Sequence, residues 1–375
     1  MKQTLANHIK NIGGWTTKRK ILCFAVDDYG NIRLHSPSSV EKLKSKGVQL
    51  SGRFDYLDAL DTREDYEQLF EVLGSIKDKY LNPAIFTSYA LSANIDFDKV
   101  LKERRKYEYE LLPETYKKLA ADDLAYEGAF EMLQEGIANK FIKPQFHGRE
   151  HLNVSLFQDL LNIEHPHLMA NLENRSYAGI PKLAEKPTVG FTQAFAFWDE
   201  KEVEYHKSII KDGLRCFEKV YGYKSVTFTP PAQQLHPKLY NYINQQGVIS
   251  IDKSRSMQRH LGQNEFIQEK NKLGYQNNQE HITMVRNVVF EPTEDRGVDW
   301  VEFTFKQIQA AFRLNKPVIV SSHRVNYCGH IDPENRTKGL IILKALLQKV
   351  VQKYPEVEFM SVDQLAEEIN AGSNL

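Results

Sequence analysis

The sequence of 375 residues is poor in cysteine and has no long hydrophobic run. Its three cysteines, Cys23, Cys216 and Cys328, are an odd number at no metal-binding spacing, so free thiols in a reducing compartment are the simplest interpretation. The first twenty residues lack the apolar core of a signal peptide, and the first apolar run is six residues long, far short of a membrane-spanning helix. We therefore expect a cytoplasmic location without membrane insertion.

The sequence also lacks an excess of charge of either sign. Lysine plus arginine and aspartate plus glutamate each total 49, which gives a formal net charge of zero. This balance provides no global basic field for binding nucleic acid or an anionic membrane. A P-loop and the glycine pattern GxGxxG of dinucleotide-binding folds are absent as well. In contrast, 41% of the residues are apolar, which is enough for a sizeable buried core.

The stretch ILCFAVDDYG, residues 21–30, combines a continuous apolar run with two adjacent carboxylates. Such a run predicts a strand buried on both faces, as in a parallel sheet, and these sheets present functional residues at the carboxyl ends of their strands. Asp27 and Asp28 stand at that end. Their mutual repulsion favours a bound cation nearby. Alternatively, one aspartate caps the following turn and the other faces solvent.

A second stretch, FIKPQFHGREH over residues 141–151, places two histidines after another predicted strand. His147 and His151 are four residues apart and the pattern from Glu150 onward is helical, so we expect both imidazoles on one helix face, about 6 Å apart along the axis. Together with an aspartate of the pair that ends the first strand, they form a candidate metal site that leaves one coordination position open, as in catalytic zinc sites. The alternative is a chance pair of histidines on a surface helix.

The order of the predicted strands and helices indicates the fold class. About eight predicted strands alternate mostly with helices, which is typical of an α/β protein with a (β/α) barrel, including distorted or incomplete barrels. A doubly wound open sheet is the alternative. No repeat or shift in composition divides the chain, so we expect a single domain over residues 1–375. Residues 165–199 interrupt the alternation of predicted strands and helices. This break predicts an insertion, which is either a lid or wall of the site or an ordinary loop.

Three short motifs carry a resemblance to a known family. They are AVDDYG at residues 25–30, HGREH at residues 147–151 and PVIVSSH, which ends at His323. In this order they resemble the TFDDG, H-(S/T)-x-x-H and Leu-x-His type motifs of the polysaccharide deacetylases of carbohydrate esterase family four, the NodB-like enzymes. The family's third motif carries an arginine before a proline, whereas SVTFTPPAQQL, residues 225–235, carries none. Arg324 is a candidate to orient Asp27 in its place, or else it forms a solvent-facing ion pair.

The resemblance implies a barrel of the glycoside hydrolase/deacetylase type and a metal-dependent hydrolase that removes acetyl groups from an N- or O-acetylated saccharide. By the same resemblance, Asp28, His147 and His151 would hold a divalent transition metal, for which Zn²⁺ suits two imidazoles and a carboxylate best. Asp27 would be the general base and His323 the general acid. The residues assigned to the substrate are Tyr29, Pro231, Ala232 and Arg324.

Two other classes of protein stay open at the level of sequence. A metal-independent glycoside hydrolase would use Asp27 or Asp28 with a second carboxylate such as Glu291, which also follows a predicted strand. That interpretation leaves the paired histidines unexplained. A catalytically inactive carbohydrate-binding protein on the same fold is the other alternative. The missing arginine favours it, whereas the complete set of two aspartates and three histidines argues against it.

Overall fold

The computed structural model describes residues 2–103, 106–276 and 281–372. The strands in these residues are β1 (Lys20–Tyr29), β2 (Phe86–Ala90), β3 (Ala93–Ile95), β4 (Tyr109–Leu111), β5 (Gln145–Phe146), β6 (Thr227–Phe228), β7 (Ser250–Asp252), β8 (Ser256–His260), β9 (Phe266–Lys270), β10 (Ile282–Met284), β11 (Val288–Val289), β12 (Val318–His323) and β13 (Val357–Phe359).

The helices are distributed along the whole chain and mostly separate the strands. They are α1 (Lys2–Ile9), α2 (Ser39–Ser45), α3 (Gly52–Leu57), α4 (Arg63–Ser75), α5 (Phe97–Glu103), α6 (Leu112–Asp122), α7 (Ala129–Ala138), α8 (Val154–Asn162), α9 (Pro166–Glu173), α10 (Lys201–Tyr221), α11 (Tyr240–Gln245), α12 (Trp300–Arg313), α13 (Pro333–Lys353) and α14 (Val362–Gly372). None of the helices in the described residues has the length and apolar character that crossing a membrane requires.

One parallel sheet organises the fold. Its strands follow the order β10-β7-β6-β5-β2-β1-β12-β11, and β13 pairs with the beginning of β1. At the centre, β1 and β12 are aligned from Leu22 opposite Val318 to Asp27 opposite His323. Strands β10 and β11 end the order and form no ladder with each other among the described residues. The sheet is therefore a curled, incomplete (β/α) barrel with surrounding helices, which confirms the fold class predicted from the sequence.

The central strand β1 is buried on both faces, as its continuous apolar run predicts. Phe24 and Val26 belong to the larger hydrophobic core, whereas Cys23 and Ala25 pack in a second core that includes Leu365 of α14. This alternation follows from the two-residue period of a strand. Because β1 is packed on both sides, its carboxyl end is a fixed platform for the polar residues there.

Residues 165–199 contain α9 and then continue in turns without a further helix or strand. Phe191, Phe195 and Phe197 are buried in this segment and join the larger hydrophobic core. Aromatic side chains of this size contribute much of the apolar area that fixes an irregular segment. The interpretation of the segment as an insertion in a single domain stays a prediction.

Candidate active site

The carboxyl ends of the parallel strands meet around one cavity of about 480 Å³, which we call the catalytic cavity. Strand β1 brings Asp27 and Asp28, the residues after β5 bring His147 and His151, and β12 ends in His323. All five side chains line the catalytic cavity. The structure thus brings together the residues that the sequence indicates for a base, an acid and three metal ligands.

The two adjacent aspartates both reach the catalytic cavity because the end of β1 is irregular. In a regular strand, neighbouring side chains point to opposite faces. Here the pairing of β1 with β2 shifts register between Val26 and Tyr29, and Asp28 has a positive φ of 74°. Left-handed backbone is uncommon outside glycine and is concentrated at functional sites, although aspartate tolerates it better than most residues.

Asp28, His147 and His151 offer one ligand atom each within 4.8 Å of one another. Asp28 Oδ1 is 3.3 Å from His147 Nε2 and 3.1 Å from His151 Nε2. His147 Nδ1 lies 2.6 Å from the carbonyl oxygen of Thr229 and donates its proton there, which leaves Nε2 as the ring nitrogen that faces Asp28. An imidazole nitrogen and a carboxylate oxygen that face each other in this way are a suitable pair of ligands for one cation.

The charges and donor types of this cluster also fit a metal ion. Burial raises the pKa of Asp28, but His151 and His147 lower it by more, so its pKa lies well below the ordinary value. His151 Nδ1 is buried without a hydrogen-bond partner among the described residues. Two imidazoles and one carboxylate suit zinc, and three protein ligands leave one coordination position for a small molecule. Cobalt, nickel and iron accept the same donors.

His147 and His151 do not lie on a common helix, so the prediction made from their spacing is wrong on this point. Residues 147–152 form a loop after β5, and α8 begins only at Val154. Gly148 in this loop has a φ of 127°, which glycine adopts without strain. The turn at Gly148 brings the centres of the two imidazole rings to 5.0 Å from each other.

Asp27 is held by an arginine that no motif reveals. Arg286, between β10 and β11, donates two hydrogen bonds of 2.7 Å, one to each carboxylate oxygen of Asp27. Its Nε lies 2.8 Å from Asp252 Oδ2, and the side chain of Arg286 is only 7% exposed. Bidentate pairing fixes the plane of the Asp27 carboxylate. A guanidinium therefore reaches Asp27 from the segment between β10 and β11, whereas residues 225–235 contain no arginine.

Arg324 does not take this role, and the expectation that it orients Asp27 is wrong. Its side chain is fully buried and donates to Asp58 at 2.6 Å and to Asp61 at 3.3 Å. The alternative of a solvent-facing ion pair is wrong as well, because both carboxylates are buried. Arg324 instead compensates the charge of these two buried carboxylates, because a buried carboxylate without a partner is costly.

His323 faces Asp27 in the catalytic cavity and is paired on its other side with Glu291. Nδ1 of His323 lies 2.7 Å from Glu291 Oε1, and its Nε2 is 3.9 Å from Asp27 Oδ2. Burial lowers the pKa of His323, but Glu291 and the two neighbouring aspartates together raise it to about 9. Glu291 also accepts a hydrogen bond from Asn326 and pairs with Arg53. At neutral pH His323 is therefore an imidazolium whose Nε2–H faces the catalytic cavity.

The residues assigned to the substrate are only partly at the catalytic cavity. Ala232 lines it, in a left-handed conformation with a φ of 52°. Tyr29, Pro231 and Arg324 are buried and are not part of its lining in the described residues, so their assignment to the substrate stays a prediction. The lining also includes residues that the sequence did not indicate, among them Arg33, Phe54 and Thr192.

No protein-family model and no curated protein matches the sequence. Solved structures match it over nearly its whole length. A protein from Mycobacterium smegmatis described as a polysaccharide deacetylase is 8% identical with a TM-score of 0.48, and the match covers 96% of this chain and 94% of that chain. The Puue allantoinase is 10% identical with a TM-score of 0.47, covering 95% and 92%.

A protein from Pseudomonas aeruginosa PAO1, also described as a polysaccharide deacetylase, is 11% identical with a TM-score of 0.44, covering 93% of this chain and 91% of that chain. Polysaccharide deacetylases are thus among the solved structures to which this chain is similar, at low sequence identity. What the catalytic cavity can do is decided by its own residues.

Proposed function

We propose that this chain is a metal-dependent hydrolase that removes acetyl groups from an N- or O-acetylated saccharide. The observation that supports this function most is the convergence on one cavity of a metal-type cluster, an aspartate held by arginine and a histidine paired with glutamate. Acyl hydrolysis needs a proton acceptor, a proton donor and a positive group at the carbonyl oxygen. The catalytic cavity offers one group for each task.

Asp28, His147 and His151 are the residues that would hold the metal. When bound, a divalent ion such as Zn²⁺ polarises an acyl oxygen and increases the acidity of water. The carbonyl oxygen of Thr229 keeps His147 in the tautomer that binds through Nε2. The fixed end of β1 keeps Asp28 in place opposite both imidazoles.

Two pairs of side chains carry out the proton transfers: Asp27 with Arg286, and His323 with Glu291. Asp27 accepts the proton of the attacking water, and Arg286 keeps its carboxylate in one orientation. His323 delivers a proton from Nε2 to the departing nitrogen or oxygen, while Glu291 holds the Nδ1–H and stabilises the imidazolium. Because His323 Nε2 and Asp27 Oδ2 are 3.9 Å apart, the acid and the base border the same small space.

A metal-independent glycoside hydrolase fits this cavity less well. Such enzymes use two carboxyl groups, one of which stays protonated because its pKa is raised. Burial raises the pKa of Glu291, but His323 and Arg53 lower it by more, so the net shift is downward. Asp27 is engaged at both oxygens by Arg286, so neither carboxyl group is suited to donate a proton. Arg286 also removes the reason for favouring an inactive carbohydrate-binding protein.

Metal content and product analysis on one preparation test this function. Protein purified without chelator should contain one transition-metal ion per chain and release acetate from N- or O-acetylated oligosaccharides of unchanged length, and chelator should stop the release. His151→Ala should lose both metal and activity, whereas the control His165→Ala, at the N-cap of α9, should keep both. Full metal occupancy in His151→Ala would refute the site, and shortened oligosaccharides with retained acetyl groups would favour the glycoside hydrolase.

A further inference from the structure

A second cavity, of about 200 Å³, lies between the N-terminal segment and residues 255–273. We call it the basic cavity, because no described aspartate or glutamate lines it, whereas five cationic side chains do: Lys10, Arg255, Lys270, Lys272 and Lys316. None of the five forms an ion pair with a described residue. Since the whole chain has equal numbers of acidic and basic residues, this concentration of positive charge is local.

Close backbone packing builds the basic cavity. The backbone N–H of Trp15 donates to the carbonyl oxygen of Leu273 at 2.8 Å, which attaches the N-terminal segment to the opposite wall. Gly14 has a φ of 77°, and a Cβ at this residue would lie only 2.7 Å from the same carbonyl oxygen. The side chain of Lys272 passes beside Gly13, which also has a positive φ. The two glycines thus permit an approach that other residues would prevent.

Two of the five cationic groups lie where few interactions stabilise a positive charge. Lys316 is 5% exposed, and its Nζ donates to the carbonyl oxygens of Gly14 and Trp15 at 2.6 and 3.0 Å, which engages two of the three N–H donors. Burial and the neighbouring Arg255 lower the pKa of Lys10 to about 8. A bound anion would stabilise both ammonium groups, because opposite charge favours the charged form.

The basic cavity is separate from the catalytic cavity, although the same two chain segments contribute to both. Ser254 and Arg286 line the catalytic cavity, whereas Arg255, Val285 and Asn287 line the basic cavity. Residues adjacent in sequence therefore serve different cavities. The basic cavity contains none of the residues that carry the proposed reaction, so its ligand is independent of acetyl removal.

We propose that the basic cavity binds a phosphate group, either free in solution or carried by a lipid headgroup. A phosphate group carries up to two negative charges and several strong acceptor oxygens, so it can accept hydrogen bonds from several lysine and arginine groups at once. A single carboxylate has one charge and two oxygens and would leave most of the five cations uncompensated. Phosphate is therefore the anion that matches this concentration of donors best.

Isothermal titration calorimetry with inorganic pyrophosphate at low ionic strength tests the free form. We expect one saturable site per chain, weakened by added salt. The variant Arg255→Gln/Lys272→Gln should bind at least about tenfold more weakly, because it removes charge-assisted hydrogen bonds. The matched control Lys211→Gln/Lys224→Gln removes two exposed cations from another surface cavity and should bind like the parent. Lys270→Gln/Lys272→Gln, with both side chains exposed, replaces the first variant if that variant does not fold.

Co-sedimentation with vesicles distinguishes the two sources of phosphate. If the ligand is a lipid headgroup, vesicles containing phosphatidic acid, whose headgroup is a phosphate monoester, should retain the parent and the control but release the cavity variants, and pure phosphatidylcholine should retain none. Saturable pyrophosphate binding without vesicle binding would identify a soluble phosphate compound. The absence of binding in both assays, or equal binding by the cavity variants, would overturn the proposal.

Discussion

Replacing Glu291 by glutamine should move the alkaline limit of turnover to lower pH. Glu291 accepts the Nδ1–H of His323 at 2.7 Å and is only 4% exposed. Glutamine keeps the size of the side chain and an amide oxygen that can accept the same hydrogen bond, yet it removes the negative charge. His323 then loses a carboxylate that stabilises its imidazolium form.

The size of the effect follows from the pKa of His323. Burial lowers this pKa, while Glu291 together with Asp27 and Asp28 raises it from 6.5 to about 9. Without the charge of Glu291, burial is opposed by fewer carboxylates, so we expect the pKa of His323 to fall. A general acid has to be protonated, so turnover declines as the pH rises through this pKa. Since one neighbouring opposite charge moves a pKa by about one to three pH units, the alkaline limb of the pH profile should move down by a similar amount.

Acetate release by the metal-loaded parent and by Glu291→Gln is measured from roughly pH 5 to roughly pH 10. These measurements locate the alkaline limb of each pH profile. An NMR titration of the His323 imidazole provides its pKa without reference to turnover. Glu294→Gln is the matched control, because Glu294 pairs with Arg296, and its limb should stay near that of the parent. An unchanged limb and an unchanged imidazole titration in Glu291→Gln would show that Glu291 does not control the protonation of His323.

Two further sets of substitutions concern the other buried charges. Asp27→Asn should keep the metal and lower turnover by a factor on the order of 10² to 10⁴, whereas Asp28→Asn should lose the metal. Metal analysis with steady-state kinetics measures both, and the reverse pattern would exchange the two roles. Arg324→Met should lower the free energy of unfolding by about 3–5 kcal/mol in urea, because Asp58 and Asp61 stay buried without their cation. A loss below about 1 kcal/mol, typical of an exposed pair, would contradict this account.

The strand-end residues were predictable because their signals are contiguous in the sequence. Six apolar residues followed by Asp27 and Asp28 indicate both a strand with two buried faces and the position of its functional end. The same logic applies to His323, which follows an apolar run and lies opposite Asp27 in the register of β1 and β12. A short stretch that specifies its own burial needs no information from the rest of the chain.

The contacts that orient these residues were not predictable, because they join distant parts of the chain. Arg286 and Asp27 are 259 positions apart, and the only local signal for Arg286 is a single arginine within the apolar stretch ITMVRNVVF, residues 282–290. Such a residue is equally consistent with an edge position on a strand. Only the pairing of the sheet shows that its guanidinium reaches Asp27.

The prediction of a helix that carries both histidines was wrong for a different reason. The helical pattern of α8 continues backwards to Glu150 in the sequence, which hides the point where the helix begins. The structure starts the helix at Val154, after the N-cap Asn153. An asparagine followed by an apolar helical pattern is a recognised start signal, and together with Gly148 it indicates a loop before the helix.

The gap in the barrel also has a consequence for self-association. The strands that border it are short, with three residues in β10 and two in β11, and Gln276 forms an antiparallel bridge to Ile282 of β10. Exposed sheet edges recruit strands from other chains and so promote aggregation, whereas short or covered edges do not. A strand from a second molecule would find few unpaired backbone N–H and C=O groups along the gap between β10 and β11. The open barrel can therefore keep a gap in its wall without offering a template for growth into larger assemblies.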